Sequence, residues 1–99
     1  MTKTDTINIS PILEGIFKEH GLSVREIKVA TLLATEGLSN KEIAKRISCT
    51  SYAIKFYTGR IYRKFAVKGR VQLMAVILRN CCILEERIEE ETIEKAVNS

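Results

Sequence analysis

The fold is decided by the stretch SNKEIAKRISCTSYAIKFYTGRIYRKF, residues 39–65. It opens with a serine that is followed three residues later by Glu42, the capping-box pattern in which each side chain bonds the backbone N–H of the other residue. Thr50 is a second candidate for a helix N-cap, and the chain between the two caps has room for one short helix and a tight break. The stretch therefore predicts two consecutive helices, the first over about residues 40–47 and the second over about residues 51–65.

The apolar side of the second helix is defined by Ile54, Tyr57, Ile61 and Phe65, which recur at spacings of three and four residues. Such spacing places side chains on one face of an α-helix. We therefore expect these four residues to face a core, and the basic residues between them to face solvent.

Helical periodicity extends to both flanks of this pair, because apolar residues recur at three and four positions and not at two. Start and stop residues delimit two helices before it. They are Ser10 and Pro11 with Gly21 for the first helix, and Ser23 and Glu26 with Gly37 for the second. A further helix is expected to begin after Gly69. The pattern predicts an all-α fold.

A chain of 99 residues has room for one compact domain with a single core. Within it we predict a four-helix unit over residues 22–79. An added N-terminal helix is expected within residues 1–21, and an acidic helical extension within residues 80–99. The whole is expected to fold as one body.

The charge of the chain is distributed unevenly. Its formal net charge is +4, but residues 80–99 hold six glutamates against two basic residues and so carry −4. Residues 41–70 hold nine lysines and arginines against Glu42 alone, a net +8. Positive charge concentrated on one helix pair indicates a polyanionic partner, whereas a merely solvated surface would spread it over the chain.

Several function classes lack their sequence signals. No apolar run reaches the ~18 residues that cross a bilayer, and the N-terminus lacks the layout of a secretory signal, so we expect a cytoplasmic protein. The three cysteines, Cys49, Cys81 and Cys82, form no CxxC pair and His20 is the single histidine, which predicts reduced thiols and no metal site. No nucleophile–base pair and no phosphate-binding loop is evident, so we expect neither an enzyme nor a cofactor.

Physical roles follow for the residues on the outer side of the second helix. Two short helices joined by a tight break, the second basic on its outside, suit a DNA major groove ~12 Å wide. The helix N-terminus at Ser51 offers free N–H groups to phosphates, and Lys55, about one turn along, is placed to donate to guanine. Phe56 either contacts a thymine methyl group or packs as a half-buried residue. Arg60 and Arg63 lie further along and are expected to contact phosphates.

A family resemblance rests on four short motifs. They are Leu22-Ser-Val-Arg-Glu, Gly37-Leu-Ser-Asn-Lys-Glu-Ile-Ala, Ile54-Lys and Ile61-Tyr-Arg-Lys-Phe-Ala-Val-Lys-Gly-Arg. Together the motifs resemble the LuxR/FixJ-type helix-turn-helix domain over roughly residues 22–79. The resemblance implies a four-helix, DNA-binding transcription regulator, here a stand-alone member with an added N-terminal helix and a C-terminal helical extension.

The resemblance also implies which residues contact DNA. It implies base contacts at Lys55, Phe56 and Gly59. It implies backbone contacts at Asn40, Lys41, Thr50 and Lys64, and at the neighbouring Ser51 and Tyr52. The last of the four helices, here from about Arg70, is similar to one that the family uses for dimerisation.

Apolar residues also recur along the chain that follows Gly69. This heptad-like seam consists of Met74, Ile77, Cys81, Leu84 and Ile88, at spacings of three and four. Either the helix is long and pairs with its twin across a two-fold axis, or it breaks near Asn80 and the acidic tail folds back. We favour a homodimer, because a module this small gains both core and half-site avidity from it. Its two half-sites are expected about one helical turn apart, ~34 Å.

Two rival functions remain open at the level of sequence. One is a protein-interaction module that reuses the helix pair to bind another regulator or RNA polymerase. The other is the promoter-binding region of a sigma factor, which needs polymerase for specific contact. A pull-down from nuclease-treated lysate separates the first of these from a regulator that binds double-stranded DNA by itself, because a protein partner survives the digestion.

Overall fold

The computed structural model describes residues 11–83 of the chain, and these residues form five α-helices and no β-strand. The helices are α1 (Pro11–Glu19), α2 (Val24–Glu36), α3 (Asn40–Arg46), α4 (Ser51–Lys64) and α5, which begins at residue 70 and continues through residue 83. The predicted all-α fold is confirmed. The roles predicted for Ser10, Leu84 and Ile88, and for the acidic extension, fall outside the described residues.

Both predicted capping boxes are present. Before α2 the Ser23 hydroxyl accepts a hydrogen bond from the Glu26 N–H, and the Glu26 carboxylate accepts one from the Ser23 N–H at 2.8 Å. Ser39 and Glu42 make the same pair of bonds before α3, and the Thr50 hydroxyl caps the start of α4. These caps satisfy backbone donors that a helix start leaves without a partner, so each of the three starts lies where the sequence predicted it.

The residue that follows the last turn of α4 has a backbone conformation that favours glycine, but this residue is an alanine. Ala66 follows the last turn of the helix and has a φ of 56°, in the left-handed region. Its N–H donates to the Arg63 carbonyl at 3.1 Å, and the Val67 N–H donates to the Tyr62 carbonyl at 2.9 Å. This pair of bonds is the Schellman arrangement, which satisfies the last carbonyl groups of the helix and turns the chain toward α5.

The core lies between α2 and the helices around it. α4 packs against both α2 and α3, and α1 packs against α2. Buried apolar side chains come from all five helices and include Leu13, Ile16, Phe17, Val29, Leu32, Leu33, Ile43, Ala44, Ile54, Ile61, Leu73 and Ile77. α4 is therefore held by the rest of the bundle along one side, and its other side faces solvent.

The buried face of α4 differs from the predicted one at one position. Three of the four predicted residues are buried, but Tyr57 is only half-buried and Thr58 takes the inward position beside it. Burial of Thr58 is tolerated because its hydroxyl donates to the Lys55 carbonyl at 2.9 Å and so keeps a hydrogen bond. Spacing alone could not separate the two neighbours.

Candidate nucleic-acid interface

α3 and α4 form the predicted helix-turn-helix pair. They pack against each other across a break of four residues, 47–50. Within this break Ser48 has a φ of 55°, and the Cys49 N–H donates to the Ala44 carbonyl at 2.9 Å, which closes the turn. Because the break is short, it holds α4 in a defined position against α3.

The outer face of α4 carries the residues predicted to contact bases. Lys55 is exposed, and Phe56 is 57% exposed although burial of a large apolar side chain is favourable. Gly59 lies on the same side of the helix, and a Cβ added to it meets no atom within 4 Å. The fold therefore does not require glycine at this position, and the face is open there.

The residues predicted to contact the DNA backbone surround this face. Thr50, Ser51 and Tyr52 are exposed at the start of α4, while Lys41 is exposed and Asn40 half-buried at the start of α3. The Thr50 hydroxyl caps the third backbone N–H of α4. The N–H groups of Ser51 and Tyr52 therefore stay available to an external acceptor such as a phosphate oxygen. The contacts themselves stay predictions.

A buried carboxylate binds the C-terminal half of α4. Glu26, in the first turn of α2, is only 1% exposed. Its Oε2 accepts a hydrogen bond from Arg60 Nε at 2.8 Å, and its Oε1 accepts one from Lys64 Nζ at 2.6 Å. Lys64 Nζ also donates to the Gly21 carbonyl at 2.9 Å. One acidic side chain thus binds two cations that stand about one turn apart on α4, both of which the sequence assigned to DNA phosphates.

The pKa of Glu26 is set by opposing effects. Burial disfavours the charged form and raises the pKa, but hydrogen bonds from Lys64, from the Ser23 N–H and from Arg60 outweigh it, together with the positive charge of Lys64. The pKa is lowered from 4.5 to about 2. Glu26 is therefore ionised at neutral pH, and its buried charge is satisfied by two cations and one backbone donor.

Arg60 links this carboxylate to the exposed face of α4. Its Nε is bound by Glu26, while its guanidinium carbon lies 5.7 Å from the centroid of the Phe56 ring. The Phe56 ring also meets Tyr57 edge to face, with centroids 5.9 Å apart and planes at 69°. A cation over an aromatic ring and an edge-to-face ring pair are both attractive contacts. Phe56 is therefore held from two sides although it is exposed.

Among the described residues, three of the nine basic residues between positions 41 and 70 form ion pairs with acidic side chains. Besides Arg60 and Lys64, Arg46 forms a two-point ion pair with Glu36 of α2, with both N–O distances at 3.0 Å. Five others are exposed and form no ion pair with a described acidic residue: Lys41, Lys45, Lys55, Arg63 and Lys68. In the described part of the chain, three of these nine positive charges are therefore already balanced by an acidic side chain.

The described members of the predicted dimerisation seam face the interior of this chain. Ile77 is buried, and Met74 and Cys81 are half-buried against the core. Another row of apolar side chains on α5 is exposed. This row, named here the α5 stripe, consists of Val71, Ala75, Leu78 and Cys82, at spacings of four, three and four.

The rotation of α5 about its axis decides which apolar row faces inward. Leu73 is fully buried, and the Arg70 guanidinium donates to the Leu38 carbonyl in the turn between α2 and α3. These contacts at the start of α5 turn Ile77 toward the core and the α5 stripe away from it. Heptad-like spacing cannot distinguish the two rows, because both have it.

The histidine packs against the core, and the three cysteines form no disulfide. His20 stacks on Phe65 with ring centroids 4.0 Å apart, and Cys49, Cys81 and Cys82 are free thiols. Within residues 11–83 no three His, Cys, Asp or Glu side chains converge as metal ligands. In the same part of the chain, no helix combines the length and the apolar character that a bilayer crossing requires.

The sequence did not predict that Glu26 binds the basic residues of α4. The capping box with Ser23 already explains a glutamate at this position, so a second role for it in binding Arg60 and Lys64 was not expected. A signal for that role exists, since Arg60 and Lys64 are four residues apart and share one side of α4. Two cations at this spacing, next to an apolar face, indicate an acidic partner on the helix against which that face packs.

Comparison with protein-family models matches residues 20–77 to bacterial regulatory proteins of the luxR family. The matched segment contains α2, α3, α4 and the first part of α5, and it leaves α1 outside. It covers more than half of the 99-residue chain. Comparisons with curated proteins and with solved structures gave no match.

Proposed function

Because the chain belongs to the luxR family of bacterial regulatory proteins, we propose that it binds double-stranded DNA with α4 as its recognition helix. The helix-turn-helix domains of this family are DNA-binding transcription regulators and not enzymes. We therefore expect the protein to act in the cytoplasm. Beyond family membership, we propose which residues of this chain contact DNA and in which oligomeric state the chain binds.

One observation carries the proposal. α4 buries Ile54 and Ile61 completely on one side and presents Lys55 and Phe56 to solvent on the other. A helix held in this way can enter a major groove ~12 Å wide without exposing the core. Lys55 then donates to the O6 and N7 atoms of guanine, Phe56 contacts a thymine methyl group, and the open surface at Gly59 admits a base edge.

Phosphate contacts fix the register of α4 in the groove. Arg60 donates to Glu26 through Nε, and its side chain is 44% exposed. Its two terminal nitrogens are therefore available to a phosphate oxygen. Lys64 already bonds Glu26 and a backbone carbonyl, so it is not among the proposed contacts. The proposed set is Asn40, Lys41, Thr50, Ser51, Tyr52, Arg60 and Arg63.

We further propose a homodimer in which the α5 stripes of two copies pack together. Val71 and Leu78 are among the most exposed apolar side chains of the described residues, and their row has the spacing of a helix–helix seam. A two-fold pairing of this kind presents one recognition helix per copy. The operator is then expected to hold two half-sites about one helical turn apart, ~34 Å.

Selection of bound fragments from a pool of random duplexes tests the function. We expect the wild-type protein to enrich a symmetric sequence with two half-sites. The most enriched duplex, named here the selected duplex, and a scrambled duplex of equal length and composition then serve as probes. If nothing is enriched over the input pool, sequence-specific DNA binding is wrong.

Lys55→Glu tests the recognition residue at fixed salt in a gel-shift titration. We expect affinity for the selected duplex to fall at least about tenfold, because a base contact is lost and a negative charge meets the groove. Lys28→Glu is the matched control, since it makes the same charge change on an exposed residue of α2. Equal losses for the two variants would attribute binding to overall charge and not to Lys55.

A further inference from the structure

We infer that Glu26 is a positioning residue for DNA recognition, which orients Phe56 through Arg60 and keeps Lys64 away from phosphates. The inference rests on the proposed function, because it concerns how the same face of α4 reads DNA. It assigns to Glu26 a role beyond its capping box.

The contacts run from the core to the surface. Glu26 is buried and binds Arg60 through Nε, the guanidinium nitrogen closest to the side-chain stem. The guanidinium carbon then lies 5.7 Å from the centroid of the exposed Phe56 ring. Because the carboxylate is fixed on three sides by Ser23, Arg60 and Lys64, it also restricts the rotamers of Arg60.

A restrained arginine changes the energetics of recognition. A free arginine side chain loses much rotamer entropy when it binds, and a side chain already ordered in the free protein loses less. The same restraint keeps the guanidinium over Phe56, so the ring meets the groove in a defined orientation. The second effect acts on the selected sequence more than on an arbitrary one, because Phe56 is a proposed base contact whereas phosphate contacts do not depend on sequence.

The second part of the role proposed for Glu26 concerns Lys64. Its ammonium group bonds Glu26 Oε1 at 2.6 Å and the Gly21 carbonyl at 2.9 Å. A lysine that neutralises a phosphate strengthens binding to any DNA sequence and steepens its salt dependence by about 0.9 in the log–log slope. By holding Lys64, Glu26 lowers this sequence-independent attraction.

Glu42 is the internal comparison for Glu26. It has the same place in a capping box and accepts a hydrogen bond from the Ser39 N–H at 2.9 Å. It is exposed, and it forms no ion pair with a described basic residue. Glu26 and Glu42 therefore share the capping role and differ in the link to α4.

Glu26→Gln keeps an oxygen for the Ser23 N–H and removes the charge. We expect the ratio of affinities for the selected and scrambled duplexes to fall about tenfold. We also expect the salt dependence of scrambled-duplex binding to steepen by about one in the log–log slope, because Lys64 becomes available to a phosphate. Glu42→Gln is expected to keep the wild-type ratio.

Arg60→Lys tests the link at a side chain that is 44% exposed and leaves Glu26 itself unchanged, so it decides the matter if Glu26→Gln does not fold. Lysine keeps the positive charge but loses the Nε bond and the planar contact with Phe56. The affinity ratio is expected to fall about as far as in Glu26→Gln. In the double variant, Glu26→Gln with Arg60→Lys, the affinity ratio is expected to fall little further, because both substitutions break the same link.

A wild-type ratio in Arg60→Lys overturns the inference, since Arg60 then acts only as a charge. Parallel losses on both duplexes in a folded Glu26→Gln variant overturn it too, because Glu26 then only supports the fold. Failure of the proposed function has a different signature, namely a wild-type protein that does not distinguish the selected duplex from the scrambled one.

Discussion

Phe17 of α1 meets Phe65, the residue that ends α4, edge to face, with ring centroids 6.1 Å apart and ring planes at 82°. Phe17 is fully buried, and His20 stacks on the same Phe65 ring. α1 lies outside the residues that match the family, yet these contacts join it to the end of α4, the proposed recognition helix. α1 is therefore part of the unit that holds α4 and not an appendage.

Phe17→Ala is expected to lower the free energy of unfolding by about 3 kcal/mol or more, because it leaves a cavity where a large buried ring was. Urea titration followed by circular dichroism measures the loss. Ile12→Ala is the control on the same helix, since Ile12 is 41% exposed, and it is expected to cost less than about 1 kcal/mol. Similar losses in the two variants would show that α1 is not packed as described.

Gly59→Ala is expected to raise stability and lower DNA affinity at once. Alanine is favoured over glycine inside a helix by about 1 kcal/mol, and the added methyl group meets open space in the free protein. In the proposed complex with DNA the same methyl group would lie between α4 and the base edges. Thermal melts and gel shifts with the selected duplex measure the two effects.

Gly15→Ala is the control for this substitution. Gly15 is also a helical glycine with open space at its Cβ position, but it lies on α1. We expect a similar gain in stability and unchanged DNA affinity. If Gly59→Ala also leaves affinity unchanged, Gly59 is not a base-contacting position.

Glu26 predicts a pH dependence of stability with a definite sign. Its pKa is lowered from 4.5 to about 2 on folding, so between these values the unfolded chain binds more protons than the folded one. The stabilisation is therefore complete above about pH 5 and is lost as the pH falls toward 2, with a size of about 3 kcal/mol.

Urea titrations of the wild-type protein and of Glu26→Gln, at neutral pH and near pH 3, test this dependence. The wild type is expected to be the more stable protein at neutral pH, and the difference is expected to shrink in acid. A difference that stays constant with pH would mean that the ionisation of Glu26 does not stabilise the fold.

Leu78→Glu is expected to weaken self-association, because it places a charge in the middle of the α5 stripe. Sedimentation velocity over a concentration series measures the monomer–dimer balance, and a gel shift measures the accompanying loss of half-site avidity. Gln72→Glu is the matched control. Gln72 is exposed beside the stripe, and its side-chain oxygen, which accepts a hydrogen bond from the Lys68 N–H at 2.7 Å, survives in glutamate.

A dimer that survives Leu78→Glu unchanged would contradict pairing through the α5 stripe. A wild-type protein that stays monomeric both alone and on the selected duplex would contradict the homodimer altogether. Either result leaves the assignment of α4 as the recognition helix to be judged by Lys55→Glu alone.

The sequence by itself determined where the helices begin and which class of fold they build. Ser23, Ser39 and Thr50 start α2, α3 and α4 as predicted, and Gly37 ends α2 with a φ of 62°. These signals are readable because a cap joins atoms only three or four residues apart, so its geometry is fixed before any helix packs against another. The exposed position of Lys55 follows from the same local periodicity, whereas for Phe56 the sequence left base contact and half-buried packing open.

Only the tertiary structure decided which of two neighbouring positions on a helix faces inward. Thr58 rather than Tyr57, and Ile77 rather than Leu78, face the core because each helix is rotated by its contacts with others. The ion pair of Glu26 with Arg60 joins residues 34 positions apart, and no local pattern specifies that distance. Such contacts form only when helices pack, because burial free energy and the need to pair a buried charge act on the assembled bundle and not on a single segment.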